Sequence, residues 1–74
     1  MAYCFIRQLP EVTKKGDRIL RSKSLRNVDR VSVWISDKLA QISGEEMENL
    51  LVVHVWFTEG DKAIYEDCID VEVF

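Results

Sequence analysis

The stretch LLVVHVWF at residues 50–57 constrains this chain more than any other feature. It is apolar on both faces and rich in residues that favour pleated backbone, as a strand covered on two sides requires. Just downstream, Tyr65, Asp67, Ile69, Val71 and Val73 alternate with Glu66, Cys68, Asp70 and Glu72, the period of two expected of a strand with one wet, acidic face. The connecting TEGDK contains Gly60, which tolerates a positive φ, and the turn former Asp61. Together these predict an antiparallel C-terminal hairpin of residues 50–58 and 63–73.

The rest of the chain is read against that hairpin. Val31, Val33 and Ile35 alternate with Ser32, Trp34 and Ser36, the pattern of a half-buried strand, while Val28, Val31, Ile35, Leu39 and Ile42 also fit an amphipathic helix over residues 28–42. Val, Trp and Ile favour the strand for residues 30–36. Ser36 and Ser43 are candidate helix caps. Ser43 with Glu46 makes a capping box, and Met47, Leu50 and Leu51 supply an apolar stripe, so one short helix or a structured loop is expected between residues 36 and 50. Glu45, Glu46 and Glu48 then suit a helix start, whose dipole favours negative charge. An opening strand around Tyr3, Phe5 and Arg7 ends at Pro10, and residues 11–17 form a loop marked by Gly16 and Asp17. A weaker strand at residues 18–25 reads as an edge, where Arg and Lys discourage unwanted pairing. The expected fold is α+β, mainly antiparallel β: a single four- or five-stranded sheet with one short helix, in one domain spanning residues 1–74.

At 74 residues there is room for one core, which buries roughly 60% of the surface of the extended chain. Hydrophobic residues at 47% and charged residues at 31% argue against both a disordered tail and a membrane protein. The longest apolar run falls far short of the ~20 residues of a membrane helix. Arg7 and Pro10 interrupt the N-terminal segment before a secretory signal could form, so a cytoplasmic location is expected. In a reducing compartment Cys4 and Cys68 stay free and act as small buried hydrophobes. Two cysteines and the one histidine, His54, fall short of a structural zinc site, and no metal or cofactor is expected.

Charge is distributed unevenly. Residues 1–36 hold eight basic residues against Glu11, Asp17 and Asp29, whereas residues 37–74 hold ten acids against Lys38 and Lys62. The cations concentrate in the basic segment 14–30. They either pair with acids of the C-terminal half, bind phosphate as arginine forks do, or meet an acidic partner protein. Arg18, Arg21, Lys23, Arg26 and Arg30 are the candidate anion- or partner-binding residues. Trp34 shares its strand face with serines and is the candidate aromatic anchor or stacking platform, while Trp56, on one face with His54 and Val52, is expected to be a core residue.

Catalysis is not expected. His54 lies between Val53 and Val55, mid-strand, as a packing histidine would, and the glycines at 16, 44 and 60 are isolated, so no phosphate loop exists. A Cys–His nucleophile would require Cys4 or Cys68 to meet His54 across the sheet. The leading expectation is a small interaction module that binds a partner protein as an inhibitor or adaptor does. Nucleic acid or a nucleotide-like anion on the basic segment is the alternative, and self-association of basic and acidic halves is a third.

Overall fold

The computed structural model describes residues 2–43 and 46–74, and among them every regular element is a strand. Four strands follow in chain order: β1 (Ala2–Val12), β2 (Arg18–Ser43), β3 (Glu46–Phe57) and β4 (Lys62–Val73). They pair antiparallel in the order β1-β2-β3-β4, and β4 returns to β1 to close a barrel. The fold is therefore all-β, and the expected α+β class with a short helix is overturned. Ser43 and Glu46, expected to cap a helix, stand opposite each other at the end of the β2–β3 ladder. Gly44 and Glu45 lie outside the described residues. The physical reason is competition: one or two helical turns carry the full nucleation cost, whereas extending an existing ladder adds hydrogen bonds residue by residue. Ser36, the other expected cap, begins no helix either and lies within β2, its Oγ accepting from the Lys38 amide at 3.1 Å.

The two strands expected at residues 18–25 and 30–36 are one continuous strand of 26 residues. Its first half, Arg18 to Val28, pairs with β1 and its second half, Val28 to Ser43, pairs with β3. Pro10 does not end β1. The strand continues to Val12, and the proline sits in a register shift between Gln8 and Glu11, where a missing amide is tolerated.

Four strands close only by bending sharply, and the bends fall at bulges. Asn27 and Asp67 adopt left-handed backbone, φ 58° and 55°, which short polar side chains accept better than others. Each lies within a register shift. At Asp67 the alternation flips. Cys68, which strict period two places on the wet acidic face, turns inward and is fully buried, its thiol 3.5 Å from the Tyr65 carbonyl. The hairpin of β3 and β4 turns through Gly60 at φ 99°. Paired backbone groups of Tyr3 and Phe74, at 2.8 and 3.1 Å, tie the two ends of the described chain together.

The core is small. Cys4, Ile6, Val28, Val53, Val55 and Cys68 are buried almost completely, with Leu25, Val31, Leu51, Phe57, Tyr65 and Val71 packed around them. Buried Gln8 donates from Nε2 to the Glu66 carbonyl at 3.1 Å, so its amide is not left unpaired. The molecule measures 40 × 24 × 18 Å, because two hairpins run past the closed section. One is the β1–β2 end beyond Gln8, which pairs with nothing but itself. The other is the β2–β3 end beyond Leu51, where Leu39 to Ser43 pair with Glu46 to Asn49 and no β4 residue joins the ladder among the described residues.

Candidate binding surface

The outward face of β2, β3 and β4 carries two of the six candidate residues, Arg30 and Trp34. Cross-strand register sets Arg30, Trp56 and Lys62 in one row and Ser32, His54 and Ile64 in the next, with Trp34 opposite Val52 in a third. Residues directly opposed in antiparallel strands share a face, so these side chains form one continuous patch. The Trp34 and His54 rings meet edge-on with centroids 4.2 Å apart, and His54 lies 6.0 Å from the Trp56 ring. The Arg30 guanidinium sits 4.2 Å from the Trp56 centroid and the Lys62 ammonium 4.9 Å from it. Cations at these distances are held by the ring quadrupole. Trp34 is 49% exposed and Ile64 54%, which leaves an apolar pair uncovered beside two pinned cations.

Trp56 is the residue that sequence reasoning misplaced: it faces outward, half-buried under its cations, not into the core. Its period-two relation to His54 and Val52 was visible, but the side of the sheet on which water lies was not. His54 is half-buried between the two tryptophans, and its Nδ1 has no hydrogen-bond partner among the described residues. Both thiols lie on the inward side of the sheet and the imidazole on the outward side, so the Cys–His pairing considered above does not form. Burial pushes the Cys4 thiol up. Burial first, and then the Asp67 carboxylate, push the Cys68 thiol up to about 11. Among the described residues no group of three or more His, Cys, Asp or Glu side chains is placed to hold a metal ion.

The basic segment is divided between two sides of the ladder. Arg21 and Lys23 stand opposite Gln8 and Ile6, on the side that carries the core, whereas Arg30 stands opposite Trp56 on the outward side. Arg18 is opposite Val12 near the β1–β2 turn. Arg26 lines a separate recess with Asn27, Phe57, Glu59 and Asp61. Of the six residues singled out, only Arg30 and Trp34 therefore fall on the aromatic face. The ion pairs among the described residues, Arg21–Glu11 at 3.7 Å and Lys38–Asp67 at 3.5 Å, each join two residues from the same half of the chain. Basic and acidic halves do meet along β1 and β4, where Arg7 stands opposite Asp70.

On the far side of the barrel an open groove of about 300 Å³ runs between β1, β2 and β4. Phe5, Pro10, Leu20 and Ile69 line it, and Arg7 and Arg21 supply its charge. Among the described residues no helix is long and apolar enough to cross a membrane. No protein-family model, curated protein or solved structure matches the chain.

Proposed function

We propose that this chain is a small non-catalytic interaction module of the cytoplasm that docks on a partner protein and modulates it, as inhibitors and adaptors do. One observation carries the reading: the ring of half-exposed Trp34 meets that of His54, which in turn neighbours Trp56, beside exposed Ile64 and the cations Arg30 and Lys62. Tryptophan and arginine dominate the energetics of protein interfaces, because a large ring desolvates well and a guanidinium can hydrogen-bond while stacked. Rigid strands hold these anchors in place, so little side-chain freedom is lost on docking.

Nucleic acid or a nucleotide-like anion is the second reading. Arg30 and Lys62 beside two indole rings favour it, since bases stack on aromatic faces while cations neutralise phosphate. Two features favour protein instead. Cations divided between both sides of β2 do not form a single track for a phosphate backbone, and the chain has a net charge of −3.

Affinity purification with the wild-type chain and with Trp34→Ala, each with and without nuclease, tests the reading. The expected result is a protein recovered in stoichiometric amount by the wild type, lost with Trp34→Ala and indifferent to nuclease. Recovery abolished by nuclease, together with tryptophan emission that responds to single-stranded nucleic acid and loses the response in high salt, replaces it with the second reading.

A further inference from the structure

Two register shifts meet at the middle of β1. One, between Arg7 and Gln8, leaves Ile69 of β4 without a partner, and the other, between Gln8 and Glu11, sets Pro10 against Leu20 of β2. Irregular pairing disrupts the ladder, and the groove of about 300 Å³ opens at that place. Cys4, Ile6 and Gln8 turn inward, so Phe5 and Arg7 alternate onto the outer face and line it. Phe5, Pro10, Leu20 and Ile69 give it an apolar lining, and Leu20 is 84% exposed. The charged lining is cationic, from Arg7 and Arg21, with no carboxylate among the described residues that form the groove. Neither guanidinium is well neutralised. Asp70 stands opposite Arg7 across the β1–β4 ladder, but its Oδ1 accepts from the Val71 amide at 3.0 Å, and Arg7 joins no ion pair among the described residues. Arg21 meets Glu11 at 3.7 Å, longer than a hydrogen bond, so it keeps its donors. Ser22, opposite Arg7 on β2, adds a hydroxyl.

We propose that this groove binds a small amphipathic monocarboxylate, its carboxylate on Arg7 and Arg21 and its hydrocarbon body against Leu20, Pro10, Phe5 and Ile69. Charge selects the head. Two cations with no acid between them favour an anion, and planar guanidinium forks match the geometry of a carboxylate. The apolar lining selects the body, because covering Leu20 and its neighbours removes hydrocarbon from water on both molecules. The same lining favours carboxylate over phosphate, whose larger charge makes it costlier to strip of water beside hydrocarbon. Size selects a small molecule, since about 300 Å³ is at the low end for ligand sites and suits a short-chain acid. None of the lining residues belongs to the patch of Trp34, His54 and Trp56, so the site goes beyond the docking surface and is tested on the purified chain.

Amide chemical shifts of the isotope-labelled chain, titrated with octanoate, are the experiment. Octanoate should shift the amides of Phe5, Arg7, Leu20 and Ile69 saturably, with a dissociation constant on the order of 1 mM for so small a ligand. Affinity should rise about two- to fourfold with each CH₂ from butanoate to octanoate, as hydrocarbon fills the groove. Arg7→Gln should weaken octanoate about fivefold or more, since it removes the charge from an exposed position. Leu20→Ser, which leaves the charge untouched, should weaken it about threefold or more. Circular dichroism checks that each variant keeps its strands, and either one that does so decides the matter. Absence of saturable shifts at about ten times the expected dissociation constant overturns the proposal. So does 1-octanol, acetate or inorganic phosphate binding as tightly as octanoate, or a response confined to the amides of Trp34, His54 and Trp56.

Discussion

The closed middle of this barrel and its two arms are built from the same alternating strands, yet they differ in what covers them. In the middle the buried cluster draws on all four strands, and Ile6, Val53 and Val55 lose their exposure entirely. In the β2–β3 arm only two strands remain among the described residues, and Leu39 and Met47 are left exposed. A two-stranded ribbon by itself is at best marginally stable in water. The arms persist because each continues a strand anchored in the barrel. The comparison shows that period-two patterning specifies which side of a strand is apolar, whereas the number of strands that converge decides whether that side is covered.

The largest test of the contrast is Ile6→Ala, which removes the largest fully buried side chain. It should cost about 3 kcal/mol in denaturant unfolding. Loss of under 1 kcal/mol would mean that the middle is no better packed than the arms. A pH effect comes next. The folded chain holds the Cys68 proton up to about 11 while an unfolded thiol releases it near 9.0, so the unfolded state binds fewer protons between these values. Melting temperature should be insensitive to this thiol below pH 9, fall as pH rises through the window, and fall less steeply in Cys68→Ala. Identical profiles for the two chains would place that thiol outside the core.

Smaller effects lie at the turns and on the surface. Gly60 at φ 99° has open space around it, so Gly60→Ala meets no clash but must hold a strained backbone. It should cost about 1–2 kcal/mol, read as a lower denaturation midpoint with unchanged slope. Arg30→Ala uncovers the Trp56 ring, with an expected loss of about 0.5–1 kcal/mol and a shift in tryptophan emission. Leu39→Ser, in the uncovered arm, should change the stability of dilute protein by no more than about 0.5 kcal/mol. If it proves as costly as Ile6→Ala, the arm is packed in solution even at high dilution and the contrast fails.

Much of the architecture was legible from residues alone. LLVVHVWF, the alternation after Lys62 and the TEGDK turn marked β3, β4 and their connection, and Val31 to Ile35 marked the middle of β2. The short helix was not there to be found. Ser43 and Glu46 fit a capping box and also fit the end of a hairpin, and a local pattern cannot reveal that β2 and β3 were already paired upstream. The inward turn of Cys68 was missed for a related reason, since a bulge at Asp67 breaks the alternation without altering composition. The candidate surface was legible in part. Arg30 and Trp34 were singled out and lie on one face, but Trp56 and Lys62 join them only through cross-strand register.

By itself the sequence determined that the chain is one small β-rich domain, that its last two strands form a hairpin, that cations gather early and acids late, and that its thiols suit a core. Tertiary structure decided that four strands close into a barrel, that β2 serves two neighbours in turn, and that the basic segment divides between two sides. The reason is range. Alternation and turn chemistry act over a few residues and are written in the order of the chain, whereas closure, bulge placement and coverage depend on which distant strands meet.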